Sequence, residues 1–90
     1  MSLTFDEAKA LWRQADAKVY DNNDYEGGLK DAMKCLRAFE NLENNKWQGM
    51  CFSVIGEAHY RLGNYQDALK YHHKKLEIAL QLGDKGGEGS

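Results

Sequence analysis

The sequence has no proline, only two cysteines, no long apolar run and almost no excess of charge. Each lack removes a class of protein. Without proline nothing interrupts a helix from within, since that ring would delete a backbone donor and clash with the preceding turn. Cys35 and Cys51 are too few for a disulfide scaffold, no signal-peptide pattern precedes them, and together they point to a reducing, cytoplasmic setting. No stretch approaches the roughly 18 apolar residues that span a bilayer, so membrane insertion is not expected. Twelve basic against fourteen acidic residues give a net charge of −2, which offers no basic field for nucleic acid.

What is present is a single short chain of 90 residues, 42% hydrophobic. A chain of this size buries only about 60 to 65% of the surface its unfolded form exposes, so the core is thin and leaves little room for an enzyme cleft. Displacing the sequence by forty residues superimposes Tyr20 on Tyr60, Tyr25 on Tyr65, Leu29 on Leu69, Lys30 on Lys70, Lys34 on Lys74, Leu36 on Leu76, Leu42 on Leu82 and Gly49 on Gly89. A fixed period of this length is the mark of stacked units, each burying its apolar face against the next.

Within each unit the apolar residues fall at helical steps. Thr4-Phe5-Asp6-Glu7 has the form of a capping box, and Phe5, Ala8, Trp12, Ala15 and Val19 then mark one buried helical face. Asn22-Asn23-Asp24 ends that helix and caps a second through Tyr25, Leu29, Ala32, Met33, Leu36, Phe39 and Leu42. Asn44 and Asn45 break the chain again before a third helix through Cys51, Phe52, Ile55, Ala58 and Leu62. Gly63 ends the third and Asn64 caps a fourth, through Tyr65, Ala68, Leu69, Leu76, Ala79 and Leu80 toward Gly83. No alternating strand pattern competes with these four.

Ile55-Gly56, then Leu62-Gly63-Asn64-Tyr65, then Ala68-Leu69 and Leu76 resemble the tetratricopeptide repeat (TPR), a helix pair with Leu-Gly, Gly-x-Tyr, Ala and aliphatic residues at this spacing. The forty-residue period, with Tyr71-His72-His73-Lys74-Lys75-Leu76-Glu77-Ile78-Ala79 and the segment from Leu82-Gly83-Asp84 to Gly89, is similar to the longer repeats of the LGN/Pins family of polarity adaptors. The resemblance is concentrated in residues 47–90; in residues 5–46 Asp16, Asn23 and Gly28 replace the counterparts of Gly56, Gly63 and Ala68. Where that family carries Asn-Leu-Gly-Asn this chain has Val54-Ile55-Gly56-Glu57.

The resemblance implies an all-α fold of two tandem TPR hairpins, four antiparallel helices forming part of a right-handed α-solenoid. Repeat one would cover residues 5–45, repeat two 46–83, and residues 86–90 would open a third. Gly56 and Ala68 are expected where the helices of a unit cross, because larger side chains would push the axes apart. The TPR pattern lines a concave groove with the first helix of each unit: Ala10, Arg13, Ala17, Tyr20 and Asp21, then Met50, Ser53, Glu57, Tyr60 and Arg61. Tyrosine rings and arginine guanidiniums there suit an extended or partly helical peptide of acidic character. The implied function is a protein–protein interaction module, a fragment of a larger adaptor or scaffold. The alternatives are a structural spacer, a self-association segment, or a regulatory sensor domain of a longer array.

Catalytic and metal chemistry find no support in the spacing. His72 and His73 are adjacent and point about 100° apart on a helix, so they cannot chelate one ion. Cys51 and His59 lie eight residues apart, about 12 Å along a helix axis, too far for a nucleophile and its base. No cofactor and no enzymatic activity are expected. A further expectation concerns Tyr71, Ile78 and Leu82, taken as an apolar edge of the fourth helix through which copies could self-associate by stacking or by helix exchange across Asn44-Asn45.

Overall fold

A computed structural model describes residues 3–86, with side chains through residue 81. Its elements in chain order are α1 (Phe5–Tyr20), α2 (Tyr25–Asn41), α3 (Asn45–Arg61) and α4 (Tyr65–Gly86), and among the described residues there is no strand. α1 packs on α2 and α3 on α4, forming two helical hairpins; α3 also lies along α2 and touches α1 more lightly. This is the all-α hairpin repeat that the sequence period implies.

Local chemistry sets most boundaries. Thr4 accepts the Glu7 backbone N–H at 3.1 Å and donates its own to Glu7 Oε1 at 2.9 Å, completing the capping box. Asp24 accepts from the Gly27 N–H, and Asn44 accepts from the Trp47 N–H. Between helices the chain turns through one left-handed residue each time: Asn23 (φ 57), Glu43 (φ 55) and Gly63 (φ 86). The three fall twenty residues apart. After α2 and α3 the turn closes with the amide of the next residue donating back past it, Asn44 N–H to the Phe39 carbonyl and Asn64 N–H to the His59 carbonyl.

Two boundaries differ from the sequence expectation. The second break is carried by Glu43, with Asn44 as the cap and Asn45 already helical. Asparagine tolerates the left-handed region better than glutamate, but register decides: a cap must sit immediately after the turn residue, and Asn44 holds that place. The fourth helix runs through Gly83 to Gly86. Among the described residues no following helix packs against that end to select a left-handed glycine there. Apart from Gly86, the residues assigned to a third unit lie outside the described residues.

The core is a strip shared by both hairpins. Phe39, Ile55, Val54, Cys35 and Cys51 are its largest fully buried side chains, each hydrocarbon one of them worth about 1.5 to 3 kcal/mol of burial. Around Trp47 the rings of Phe5, Trp12 and Phe39 gather with centroids 5.3 to 6.2 Å away, joining α1, α2 and α3. Gly28 lets α2 press on α1, because a Cβ there would stand 2.4 Å from Val19 Cγ2 and 3.0 Å from the Ala15 carbonyl oxygen. Gly56 is buried under α4 in a different way, since its Cβ would meet only the His72 ring, at 2.9 Å.

Tyr71 and Ile78 are partly buried against this core, so they do not form an uncovered edge. Leu82 lies beyond the described side chains. The uncovered apolar row of α4 is Tyr65, Leu69, Leu76 and Leu80 instead, four large side chains on one helical stripe. Met33, Leu42 and Leu62 are also exposed.

Candidate functional site: a cleft between α1, α3 and α4

The two leading helices do not close on each other along their length. Between them, and under the far half of α4, lies a cleft of about 310 Å³. Its lining comes from Trp12, Asp16 and Tyr20 on α1, from Met50, Ser53 and Val54 on α3, and from Lys75 and Ile78 on α4. A row at steps of four on α1 supplies one wall, because residues four apart share a helical face. Gly49 keeps the facing wall low, and a Cβ there would rest in ordinary contact, 3.5 Å from Ile78 Cγ2.

The walls are held in place by polar contacts across helices. The Trp12 indole N–H donates to the Met50 backbone carbonyl at 3.2 Å, fixing α1 against α3. Lys75 Nζ donates to Ser53 Oγ at 3.2 Å, fixing α4 against α3. On the other side of α1, Lys18 pairs with Asp31 at 2.7 Å and ties α1 to α2. That hydrogen bond raises the Lys18 pKa above its ordinary value against the opposing effect of desolvation, with Coulombic support from Asp31 and Asp24.

The cleft shifts its own acids. Burial, with Asp21 adding, raises the Asp16 carboxyl above the usual carboxylate range. Burial also raises the Tyr20 phenol, with Glu57 and Asp16 adding and Arg61 opposing. Behind the cleft, the Cys35 and Cys51 sulfurs lie 3.2 Å apart as free thiols. The hydrogen bond shared with Cys35 and burial push the Cys51 thiol far up, so it stays protonated and unreactive.

The groove residues expected from the sequence divide into two sets. Tyr20, Met50 and Ser53 come together in the cleft. Arg13 is exposed and lies outside its lining, as do Ala10, Ala17 and Asp21. Glu57 accepts from Arg61 Nε at 2.7 Å, a pairing one helical turn apart that engages both charges and raises the arginine's pKa. Tyr60 packs edge-on against Tyr65, centroids 5.4 Å apart. Trp12, Asp16, Lys75 and Ile78 were not singled out as lining residues. The step-of-four row through Tyr20 was a signal for the first two; nothing local marks the α4 pair.

Among the described residues no group of three or more metal-binding side chains gathers, and no helix is long and apolar enough to cross a membrane. His59 instead stacks on Tyr71, ring centroids 5.6 Å apart.

Among known families, the model for the rapsyn N-terminal myristoylation and linker region matches residues 6–86. No curated protein and no solved structure matched the chain.

Proposed function

The chain belongs to the family of the rapsyn N-terminal myristoylation and linker region, and from that premise we propose that it is a non-catalytic protein-interaction module whose leading helices hold a partner peptide. The observation that carries this reading is the cleft between α1 and α3, open to solvent and floored by apolar side chains. A linker region of stacked helix pairs within a larger scaffold would use such a surface to hold its partner. Tyr20, Met50 and Ser53 line the cleft, Tyr60 and Arg61 continue along α3 beyond it, and an acidic peptide would run along both.

The experiment is a titration with acidic peptides followed by anisotropy, repeated with Tyr60→Ala and Arg61→Ala. Loss of binding with an unchanged melt supports the groove. Binding indifferent to both changes, and to any other change on α1 and α3, overturns it.

The same proposal places the module in the cytoplasm and away from nucleic acid. Two cysteines, too few for a disulfide scaffold, suit a reducing compartment. Myristoylation, named in the family's description, gives only reversible membrane attachment when a single chain is used, which fits a cytoplasmic module that visits a membrane surface. Kinship with the LGN/Pins adaptors is the finer part of the proposal and rests on the residues 71–89 quoted above.

The bare row Tyr65, Leu69, Leu76 and Leu80 favours a second reading, in which the segment stacks on another helix pair or on a second copy. Sedimentation tests the second copy, since only self-association makes mass depend on concentration.

A further inference from the structure

Cys35 on α2 and Cys51 on α3 are the only cysteines of the chain, and neither lines the cleft. Both are fully buried, and their sulfurs meet at 3.2 Å across the joint between the two hairpins. The forty-residue period does not put them there. Their counterparts in the other unit are Lys75 and Leu11, so neither sulfur is copied from the repeat. The joint they occupy is the main one, since α2 packs along α3 while α1 touches α3 only lightly.

The contact is close to the geometry of a bond. A disulfide holds its sulfurs at about 2.05 Å, so this pair has about 1.2 Å left to close. Cys35 Sγ also donates to the Ala32 carbonyl at 3.3 Å, so within the pair Cys51 donates and the Cys35 sulfur accepts. A thiolate, not a thiol, attacks an oxidant, and the closed joint keeps Cys51 a thiol. Reaction therefore begins in molecules where α2 and α3 have parted, a local opening that leaves the rest of the fold in place.

We propose that Cys35 and Cys51 form a latent staple, which hydrogen peroxide converts to a disulfide that locks one hairpin to the other. In the opened joint one thiolate attacks the peroxide: an S–O bond forms, the O–O bond breaks, and hydroxide leaves and takes up a proton to become water. The product is a sulfenic acid. Reclosing returns the second sulfur to contact, where it attacks the sulfenic sulfur; the S–S bond forms, the S–O bond breaks, and the oxygen leaves as water with the thiol proton. Two thiols are oxidised to one disulfide while one peroxide is reduced to two waters. The closed loop, from Cys35 to Cys51, contains the whole turn between α2 and α3 and restricts the unfolded chain. It also fixes to α2 the helix that carries Met50 and Ser53 of the cleft wall.

The test treats the full chain with near-stoichiometric hydrogen peroxide and follows the thiol count, a tryptic map and the thermal melt. The monomer should lose both thiols, and the map should join residues 35–37 to residues 47–61. Its melting temperature should rise by about 5 to 15 °C and return to the starting value on dithiothreitol. Mild urea, which opens the joint without unfolding the chain, should speed the reaction. Cys35→Ala and Cys51→Ala should each gain no stability from peroxide, a difference read within one variant even where the substitution itself lowers the melt. If either variant fails to fold, the tryptic map of the parent decides. Disulfide-linked dimers, sulfinic acid in place of the internal crosslink, or a crosslink that leaves the melt unchanged or lowered overturns the proposal. Thiols untouched by peroxide even in mild urea overturn it as well.

Discussion

Leu36 on α2 and Leu76 on α4 hold the same place in the forty-residue repeat, yet Leu36 is 7% exposed and Leu76 is 55% exposed. Tyr25 and Leu29 are partly buried against the core, while their counterparts Tyr65 and Leu69 stand open. The difference is a neighbour: α3 lies along α2, and no described helix lies along α4 in that way. An apolar stripe thus shapes a helix ready to be covered, and only the next unit turns that readiness into stability.

The hairpins also differ in where they place their glycine. The first puts Gly28 on its trailing helix against the backbone of α1; the second puts Gly56 on its leading helix under a histidine ring. Asp16 and Ala68 occupy the exchanged positions. A ring at the end of a side chain can swing aside, whereas a helix backbone cannot, so the same substitution should have opposite consequences in the two hairpins.

Each prediction can break or sharpen that comparison. Phe39→Ala, deep in the first hairpin and stacked on Trp47, should cost about 3 to 5 kcal/mol in denaturant unfolding; a cost near zero would mean the ring cluster does not join the units. Leu36→Ala should cost about 2 to 5 kcal/mol and Leu76→Ala no more than about 0.5 kcal/mol. Equal losses would show that α4 is covered in solution, and their dependence on protein concentration would identify a second copy as the cover.

Gly28→Ala should lose about 1 to 3 kcal/mol, as overpacked sites do, while Gly56→Ala should be neutral or gain up to about 1 kcal/mol from helix propensity as His72 moves. In the turns, Gly63→Ala should cost about 1 to 2 kcal/mol, and Glu43→Gly, which relieves the same left-handed strain, should raise the melting temperature modestly. The smallest effect is a matter of pH. The Asp16 pKa is raised by folding, so the folded chain binds its proton more tightly and loses stability as pH rises from the unfolded value near 4 through the folded one. Asp16→Asn should therefore melt slightly above the parent at pH 7 and show no advantage below about pH 4.

Much of the fold was legible because its causes are local. Thr4 with Glu7, Asp24 and Asn44 each satisfy an amide three residues on, and the repeat itself reveals the hairpins. Glu43 was missed because its own propensity gives no sign of a left-handed residue; the twenty-residue spacing from Asn23 and Gly63 would have found it. The cleft was half legible. Tyr20, Met50 and Ser53 follow from the resemblance to the TPR pattern, but Lys75 and Ile78 enter from a helix whose crossing angle no local pattern encodes. Glu57 and Arg61 were read as groove side chains, and their spacing of four let them satisfy each other.

The sequence by itself determined that four capped helices form and which stripe of each is apolar, since capping and periodicity act within one turn of the chain. The tertiary structure decided which stripes are covered, which helix supplies the close-approach glycine, and where a cleft remains. Those outcomes depend on how far apart two helix axes lie and which side chains meet across them, a sum over contacts distant in sequence that no single segment contains.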